Sequence, residues 1–304
     1  MAINSLEFRT SMSEALDKAI VQGATVGFFE DNLLRAKFVG AKTVLIPEID
    51  MSGLGDYDRD SGFVQGAIAI TSDPFTLSQD RARTFQIDRE DNDETGIANL
   101  AGQVLGEFVR TKVVPEVDAY CLSKIGGYAA TEGQTVTGDP ASQAYEMFEK
   151  ALGEIRDIIG YDEELVCFAD NTFLRALQSS PEVERHIVMS DFKKGDVHTS
   201  VRTLDDVKIL PVPASRMKTA YTFHAGTDGQ KDGGFTPDAS ASSIGFLLMP
   251  KRACSLVKKS ETLRTFSPEQ NIKADAWKFD YRLYYDIFMK NSMKDAIRAY
   301  VYEA

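Results

Sequence analysis

A chain of 304 residues with 43% hydrophobic side chains can bury a substantial core, as one large domain or two ordinary ones. Its formal net charge of -12 opposes binding to a phosphate backbone through counterion release, which excludes a DNA-reading role. The three histidines (His186, His198, His224) and three scattered cysteines (Cys121, Cys167, Cys254) offer no zinc spacing, no CxxC and no disulfide framework, so a reducing compartment fits best.

The N-terminal MAINSLEFRTSMSEALDKAI is mixed in charge rather than basic and then apolar, and no stretch approaches the roughly 20 apolar residues that span a bilayer. Neither an export leader nor a membrane span is expected. Phe8, Met12, Leu16 and Ile20 recur four apart, which predicts a short amphipathic helix over residues 5 to 20 that ends near Gly23. In TVGFFEDNLLRAKFVGAKTVLIPEID no period persists, and the reading is an extended arm leading into a strand over 42 to 49.

MSGLGDYDRDSG is a turn rich in glycine and aspartate, and FVQGAIAITS alternates as a returning strand, so the two flanks pair as a long hairpin. With Gly66, Ala67 and Ala69 on the return, this hairpin has little core of its own and needs another surface to lie on. Asp73-Pro74 predicts the next turn. FTLSQD and RTFQID then lead into the acidic run REDNDE. From Glu94, the residues Ile97, Leu100, Ala101, Val104, Leu105 and Phe108 mark a helix that kinks at Pro115 and resumes through Val117, Tyr120, Cys121 and Ile125. At 1.5 Å per residue the rod is about 45 Å long.

A compact α/β unit is expected over 138 to 250. It comprises a helix over 142 to 159 (Tyr145, Phe148, Leu152, Ile155), a strand ELVCFA, a helix NTFLRALQSS, and strands VKILPVP and IGFLLMP; the glycine-rich HAGTDGQKDGGFTPDASAS is a surface loop without phosphate-cradle spacing. WKFDYRLYYDIF carries the clearest alternation in the chain: Trp277, Phe279, Tyr281, Leu283, Tyr285 and Ile287 against Lys278, Asp280, Arg282, Tyr284 and Asp286. It reads as a strand near 45 Å long at about 3.3 Å per residue. KNSMKD turns it, and Ile297, Ala299 and Val301 return as the second leg of a hairpin.

The candidate sites are few. As an EF-hand loop starting at Asp88, the acidic run would need Gly at position 6 and Glu at position 12, but Asp93 and Asn99 stand there, whereas Asn92 or Asp93 serves as a helix cap without exception to the rules. Asp56, Asp58, Asp60 and Gly62 miss the calcium pattern as well, with the glycine one place late and Ala67 at position 12. That stretch reads as a polar hairpin tip, or as one whose aspartates and Arg59 pair with charges on a neighbouring chain. Glu163 and Glu164 belong to a solvated face. Lys251, Arg252, Lys258 and Lys259 form one basic cluster on an inter-subunit or solvent face. No GxSxG, HExxH, P-loop or GxGxxG occurs, so no catalytic residue, cofactor site or metal site is expected.

Four motifs in order, GLGDYDRDSGF, FTLSQDRARTFQIDREDNDET, VVPEVDAY and FSPEQNIKADAWKFDYRLYYDIF, make the chain from about residue 42 onward resemble the major capsid proteins of tailed bacteriophages and prophages that share the Hong Kong 97 phage fold. The resemblance implies an α+β capsid fold. Its parts would be an N-terminal arm (1 to 38), an extended β-hairpin loop (39 to 82), a peripheral domain with a long spine helix (83 to 137), a compact axial domain (138 to 250), and strands returning to the peripheral sheet (251 to 304). It further implies self-assembly into pentamers and hexamers of an icosahedral head, built in the bacterial host cytoplasm and enclosing double-stranded DNA without sequence-specific contact or membrane. A portal, decoration proteins and a separate scaffolding protein would be partners. Inter-subunit contacts are expected at Gly53, Gly55, Asp56, Tyr57, Asp58, Arg59 and Asp60 in the loop, and at Lys258, Lys259, Glu261 and Arg264. The founding phage cross-links a lysine in this loop to an asparagine; MSGLGDYDRDSG has no lysine, so no such bond is expected. Two other classes stay open: the shell of an encapsulin-like compartment, and a metal-dependent acidic enzyme.

Overall fold

A computed structural model of the chain describes residues 24–32, 37–39, 42–60, 62–90, 101–180, 188–194, 197–227 and 229–302. The amphipathic helix expected over 5 to 20, and the helix start and caps expected between 91 and 100, lie outside them.

The first described segment corrects an expectation. Gly27–Asn32 is a 3₁₀ helix rather than part of an extended arm. Phe28 and Phe29 within it, and Ala24 and Val26 just before it, are wholly buried. The buried Asp118 carboxylate accepts the Thr25 and Val26 amides at 3.1 Å each and holds Arg216 at 3.0 Å. Burial pushes the Asp118 carboxyl up, and the two amides and the Arg216 guanidinium pull against it. Glu30, at the other end, pairs with Lys258 at 2.6 Å. Apolar side chains tied at both ends favour a turn that faces inward over an arm that faces water.

β1 (Lys37–Val39), β2 (Thr43–Met51) and β3 (Ile68–Thr76) form a three-stranded antiparallel sheet in that order. β2 and β3 are the expected hairpin, in register from Thr43 opposite Thr76 to Met51 opposite Ile68. The return strand starts later than FVQGAIAITS predicts, and it runs through Asp73-Pro74, which is no turn. β3 is the edge of this sheet, where a proline's missing N–H need not break a ladder. The chain turns instead at Leu77 and Ser78, before β4 (Gln79–Asp88).

The long helix runs through Ala101–Phe108, Val109–Val113 and Val114–Thr131, about 46 Å at 1.5 Å per residue. Its middle part is a π-turn in which the Val114 amide reaches back to Val109 O. Pro115 has no N–H to offer an α-helical partner, and a wider turn just before it absorbs that loss. The expected kink thus takes the form of a π-turn.

Beyond β5 (Thr135–Val136) come the helix Pro140–Ile159, β6 (Leu165–Ala169), the helix Asn171–Ser179, β7 (Val188–Lys194), β8 (Val197–Leu204) and β9 (Val207–Pro211). β10 (Tyr221–Phe223) pairs with β11 (Phe235–Pro237), which lies within the stretch expected to be only loop. β12 (Ser243–Pro250), β13 (Cys254–Phe266), β14 (Ala276–Met289) and β15 (Arg298–Tyr302) complete the chain. A seven-stranded sheet has the order β5-β15-β12-β6-β9-β8-β7. β6 and β12 are central and buried throughout: Val166, Phe168, Ile244, Leu247 and Met249 face the long helix, while Leu165, Cys167, Phe246 and Leu248 face the two shorter helices. Burial on both faces is why these strands read as unbroken apolar runs.

β14 pairs with β13 on one side and β4 on the other. β15 corrects the expected C-terminal hairpin. It leaves the long sheet and inserts between β12, antiparallel, and β5, parallel. Both flanks of β14 are already filled, so the last strand goes to an open edge elsewhere.

Glu164 staples the ends of the central strands by taking both Lys208 and Lys251, the latter at 3.0 Å. Burial raises its carboxyl, but the two ammonium groups outweigh burial and hold it below its ordinary 4.5. A depressed carboxylate contributes stability above its unfolded value, and that contribution is lost as pH falls through the folded one. The side chain is 38% exposed, which screens the pairing. Glu164→Gln should therefore cost only about 0.5–1 kcal/mol at neutral pH. Paired thermal melts from neutral to acid pH should converge; a gap that persists below the carboxylate range would count against this staple.

Candidate functional site

The β2–β3 hairpin is an arm about 30 Å long at about 3.4 Å per residue. Met51, Leu54, Tyr57, Phe63, Val64, Ile68 and Ile70 are all exposed along it. Elsewhere among the described residues only Ile158, Tyr161 and Ile272 are large, apolar and comparably exposed. Clustered exposed apolar side chains of this kind are characteristic of interaction surfaces.

The tip is ordered by its own bonds. Ser52 N–H donates to Ala67 O at 3.0 Å and Ser52 Oγ accepts from the Ala67 amide at 2.9 Å, which clasps the two legs. Asp58 and Gly62 exchange backbone hydrogen bonds, and Asp58 Oδ1 accepts the Asp60 amide at 3.0 Å. Gly62 closes this turn at φ +82°, a conformation that suits glycine. Tyr57 and Phe63 rings lie 5.0 Å apart, and a side chain at Gly55 would press on Val64 at 3.1 Å. Gly53, Asp56, Arg59 and Asp60 are exposed. The tip candidates lie together on a turn in which one Asp58 carboxylate oxygen accepts a backbone amide.

The root of the arm is as fixed as its length is bare. Val44, Leu77, Val257 and Tyr284 form a small buried cluster with Phe75 against it, and Phe75 meets Phe288 edge-on at 5.3 Å. Leu77 N–H donates to Lys42 O at 2.9 Å, and Tyr284 Oη donates to Leu77 O at 3.1 Å. Beneath them the wholly buried Asp286 collects donors. Its Oδ2 accepts the Ser78 amide at 3.0 Å and Ser78 Oγ at 2.9 Å; its Oδ1 accepts Tyr120 Oη at 2.8 Å, Lys124 Nζ at 2.6 Å and the Ile287 amide at 2.7 Å. Burial, with the Asp286 charge beside it, pushes the Tyr120 phenol up, so it stays a donor.

Sequence reasoning missed this hub, because alternation assigns Tyr284 and Asp286 to the polar face, and both are buried. A signal did exist. LYYDIF is apolar on both faces except at Asp286, and an isolated acid in a two-sided apolar run must be partnered.

The β13 candidates are engaged within the chain. Lys258 holds Glu30, Lys259 Nζ lies 5.9 Å from the Tyr284 ring centroid, Glu261 accepts from Tyr281 Oη at 3.0 Å, and Arg264 stands opposite Asp280. The expected basic cluster is divided as well, since Lys251 pairs with Glu164 and Arg252 with Glu163. Arg81 is a second unforeseen anchor. It forks onto Glu116 at 2.6 and 3.3 Å and donates to His224 O and Gly234 O, which seats the β10–β11 loop on β4. The three cysteines are buried and unbridged. Among the described residues no three of His, Cys, Asp and Glu gather as a metal site.

Neither protein-family models nor curated proteins match this sequence. Solved structures do. The capsid of Staphylococcus phage Andhra is similar at 11% identity and a TM-score of 0.57, over 88% of this chain and 82% of that one. The capsid of cyanophage P-SCSP1u gives 12% and 0.55, over 88% and 85%. A virus-like particle from Pyrococcus furiosus gives 12% and 0.50, over 97% and 99%. At such identities the likeness establishes the fold, a mixed α+β fold with a long helix shared with phage capsid proteins, in agreement with the resemblance carried by the four motifs.

Proposed function

We propose that this chain is a major capsid protein of a tailed phage or prophage, whose copies join as pentamers and hexamers into an icosahedral shell enclosing double-stranded DNA. The carrying observation is the arm, bound firmly at Asp286 and Leu77 yet studded with uncovered apolar side chains between Met51 and Ile70. Draped over the next subunit, each of its large side chains would contribute about 1.5–3 kcal/mol on full burial. A head-to-tail contact of this kind closes into rings when its rotation divides a full turn, as five-fold and six-fold rings require. On this reading the extended loop runs from 39 to Ser78 rather than to 82, because β4 already belongs to the body; 79 to 137 and 251 to 297 are the peripheral domain, and 138 to 250 the axial domain, with β15 lent to the axial sheet.

The work is structural rather than catalytic, and the partners are first the chain's own copies, then a separate scaffolding protein, a portal and decoration proteins. The net charge of -12 suits a wall that encloses DNA without adhering to it. A compartment shell holding cargo protein is the second reading; the virus-like particle from Pyrococcus furiosus matches over nearly the full length of both chains, yet its TM-score of 0.50 does not exceed those of the phage capsids.

The test is to express the full chain, image it by negative stain and analyse particle contents after nuclease treatment. Closed shells that protect DNA, or that stand empty and fill when packaging components are supplied, support the capsid. Shells that retain a folded enzyme support the compartment. A compact monomer in every buffer and concentration tried would end both readings.

A further inference from the structure

Leu77 and Ser78 are the whole link between the arm strand β3 and the body strand β4. A rotation at these two residues would swing a 30 Å lever, so small changes at the root become large displacements at the tip. Side chains from the long helix and from β14 meet at this pivot. Asp286 of β14 grips Ser78 through both its amide and its hydroxyl. Tyr120 and Lys124 of the long helix hold the carboxylate from the other side. Lys124 Nζ also lies 4.9 Å from the centroid of the Phe75 ring, so one ammonium touches both the clamp and the arm strand. Ser78 Oγ and Tyr120 Oη are themselves 2.9 Å apart, closing a triangle around Asp286 Oδ2 and Oδ1. Each hydroxyl has one proton, and with both given to Asp286 this contact fixes spacing rather than adding a bond.

The core does not require a charge here. Leu283, Tyr285 and Ile287 already supply the apolar face of β14 toward the helix. Replacing a buried ion pair with apolar groups is often neutral or stabilising. What a saturated carboxylate provides and an apolar side chain cannot is direction, because its charge-assisted bonds weaken steeply as the donors turn out of line.

We infer that Asp286, together with Ser78, Tyr120 and Lys124, is a latch that sets the direction in which the arm leaves the body, and that Asp286 is a positioning residue for assembly. The assembly part of this inference rests on the shell reading above, whereas the latch itself is testable in the unassembled chain.

The test uses the full chain and two substitutions, Asp286→Asn and the milder Ser78→Ala. Asp286→Asn should speed amide exchange at residues 77 to 79 by about tenfold or more, the equivalent of one lost charge-assisted bond. The melting temperature should fall, because removing one partner of a buried ion pair is destabilising, but loss of protection at the centre of β14 should stay smaller than at the pivot, and shell yield should fall by about tenfold. Ser78→Ala should show the same pattern more weakly, and it carries the test alone if the asparagine variant does not fold. Unchanged exchange at 77 to 79 would overturn the latch; so would loss of protection spread evenly over β4, β13 and β14, which marks an ordinary fold contact. Looser exchange at the pivot with full shell yield would overturn its role in assembly. If the parent chain forms no shells, the shell reading fails, and the exchange pattern still decides the latch.

Discussion

Replacing residues 53 to 66 with Asn-Gly, so that Ser52 and Ala67 are joined by a two-residue turn, should abolish shells while leaving the melting temperature within about 2 °C of the parent. The clasp between Ser52 and Ala67 already brings the legs to hairpin spacing, and Asn-Gly suits a tight turn there. The excised part contacts mainly itself, through Tyr57 with Phe63 and Gly55 with Val64, so the body loses little. Assembly loses much. Leu54, Tyr57, Phe63 and Val64 are the exposed apolar side chains nearest the tip, and at about 1.5–3 kcal/mol each on burial their removal takes away most of what a neighbour could bury there. Sedimentation and imaging of the two chains at matched concentration decide the point. Normal shells from the shortened chain would mean that the arm is not the contact that builds them.

The second large effect is expected far from the arm. Phe28→Ala and Phe29→Ala should each destabilise the unassembled chain by about 3–5 kcal/mol, the range for removing a fully buried phenylalanine from a core that cannot collapse around the gap. Both rings are wholly buried, 4.4 Å apart, and both pack on Phe168 at 6.0 and 5.9 Å. Phe168 belongs to a central strand buried on both sides, so the vacated volume cannot be filled by a shift of the sheet. Denaturant unfolding followed by far-ultraviolet circular dichroism gives the number. A loss below about 1 kcal/mol would show that segment 24–32 lies on the body rather than within it.

The elements that sequence reading finds are those whose signal is local. The 14 residues of β14, the helix across Pro115, and the two-sided apolar runs of β6 and β12 carry their periods within themselves. The tip candidates were also legible, because a lone cluster of glycine and aspartate between two weak strands can only be a turn. β7 and β8 were not, since VMSDFKK and VHTSVRTL mix polar and apolar residues without a clean alternation. The segment 24–32 was misread because its apolar residues have no regular spacing, and only the buried Asp118 and Lys258, far along the chain, draw it inward.

The sequence by itself determined that this chain carries a long helix, a long strand and a hairpin too poor in core to stand alone, because side-chain periodicity and turn chemistry act between residues a few positions apart. Tertiary structure alone decided that Asp286 is buried beneath the arm, that Tyr284 turns inward with it, and that β15 leaves its apparent partner for a distant sheet. Those outcomes depend on groups far outside any local sequence window: a buried carboxylate is tolerable only where donors from other elements converge on it, and a strand pairs wherever an edge remains open.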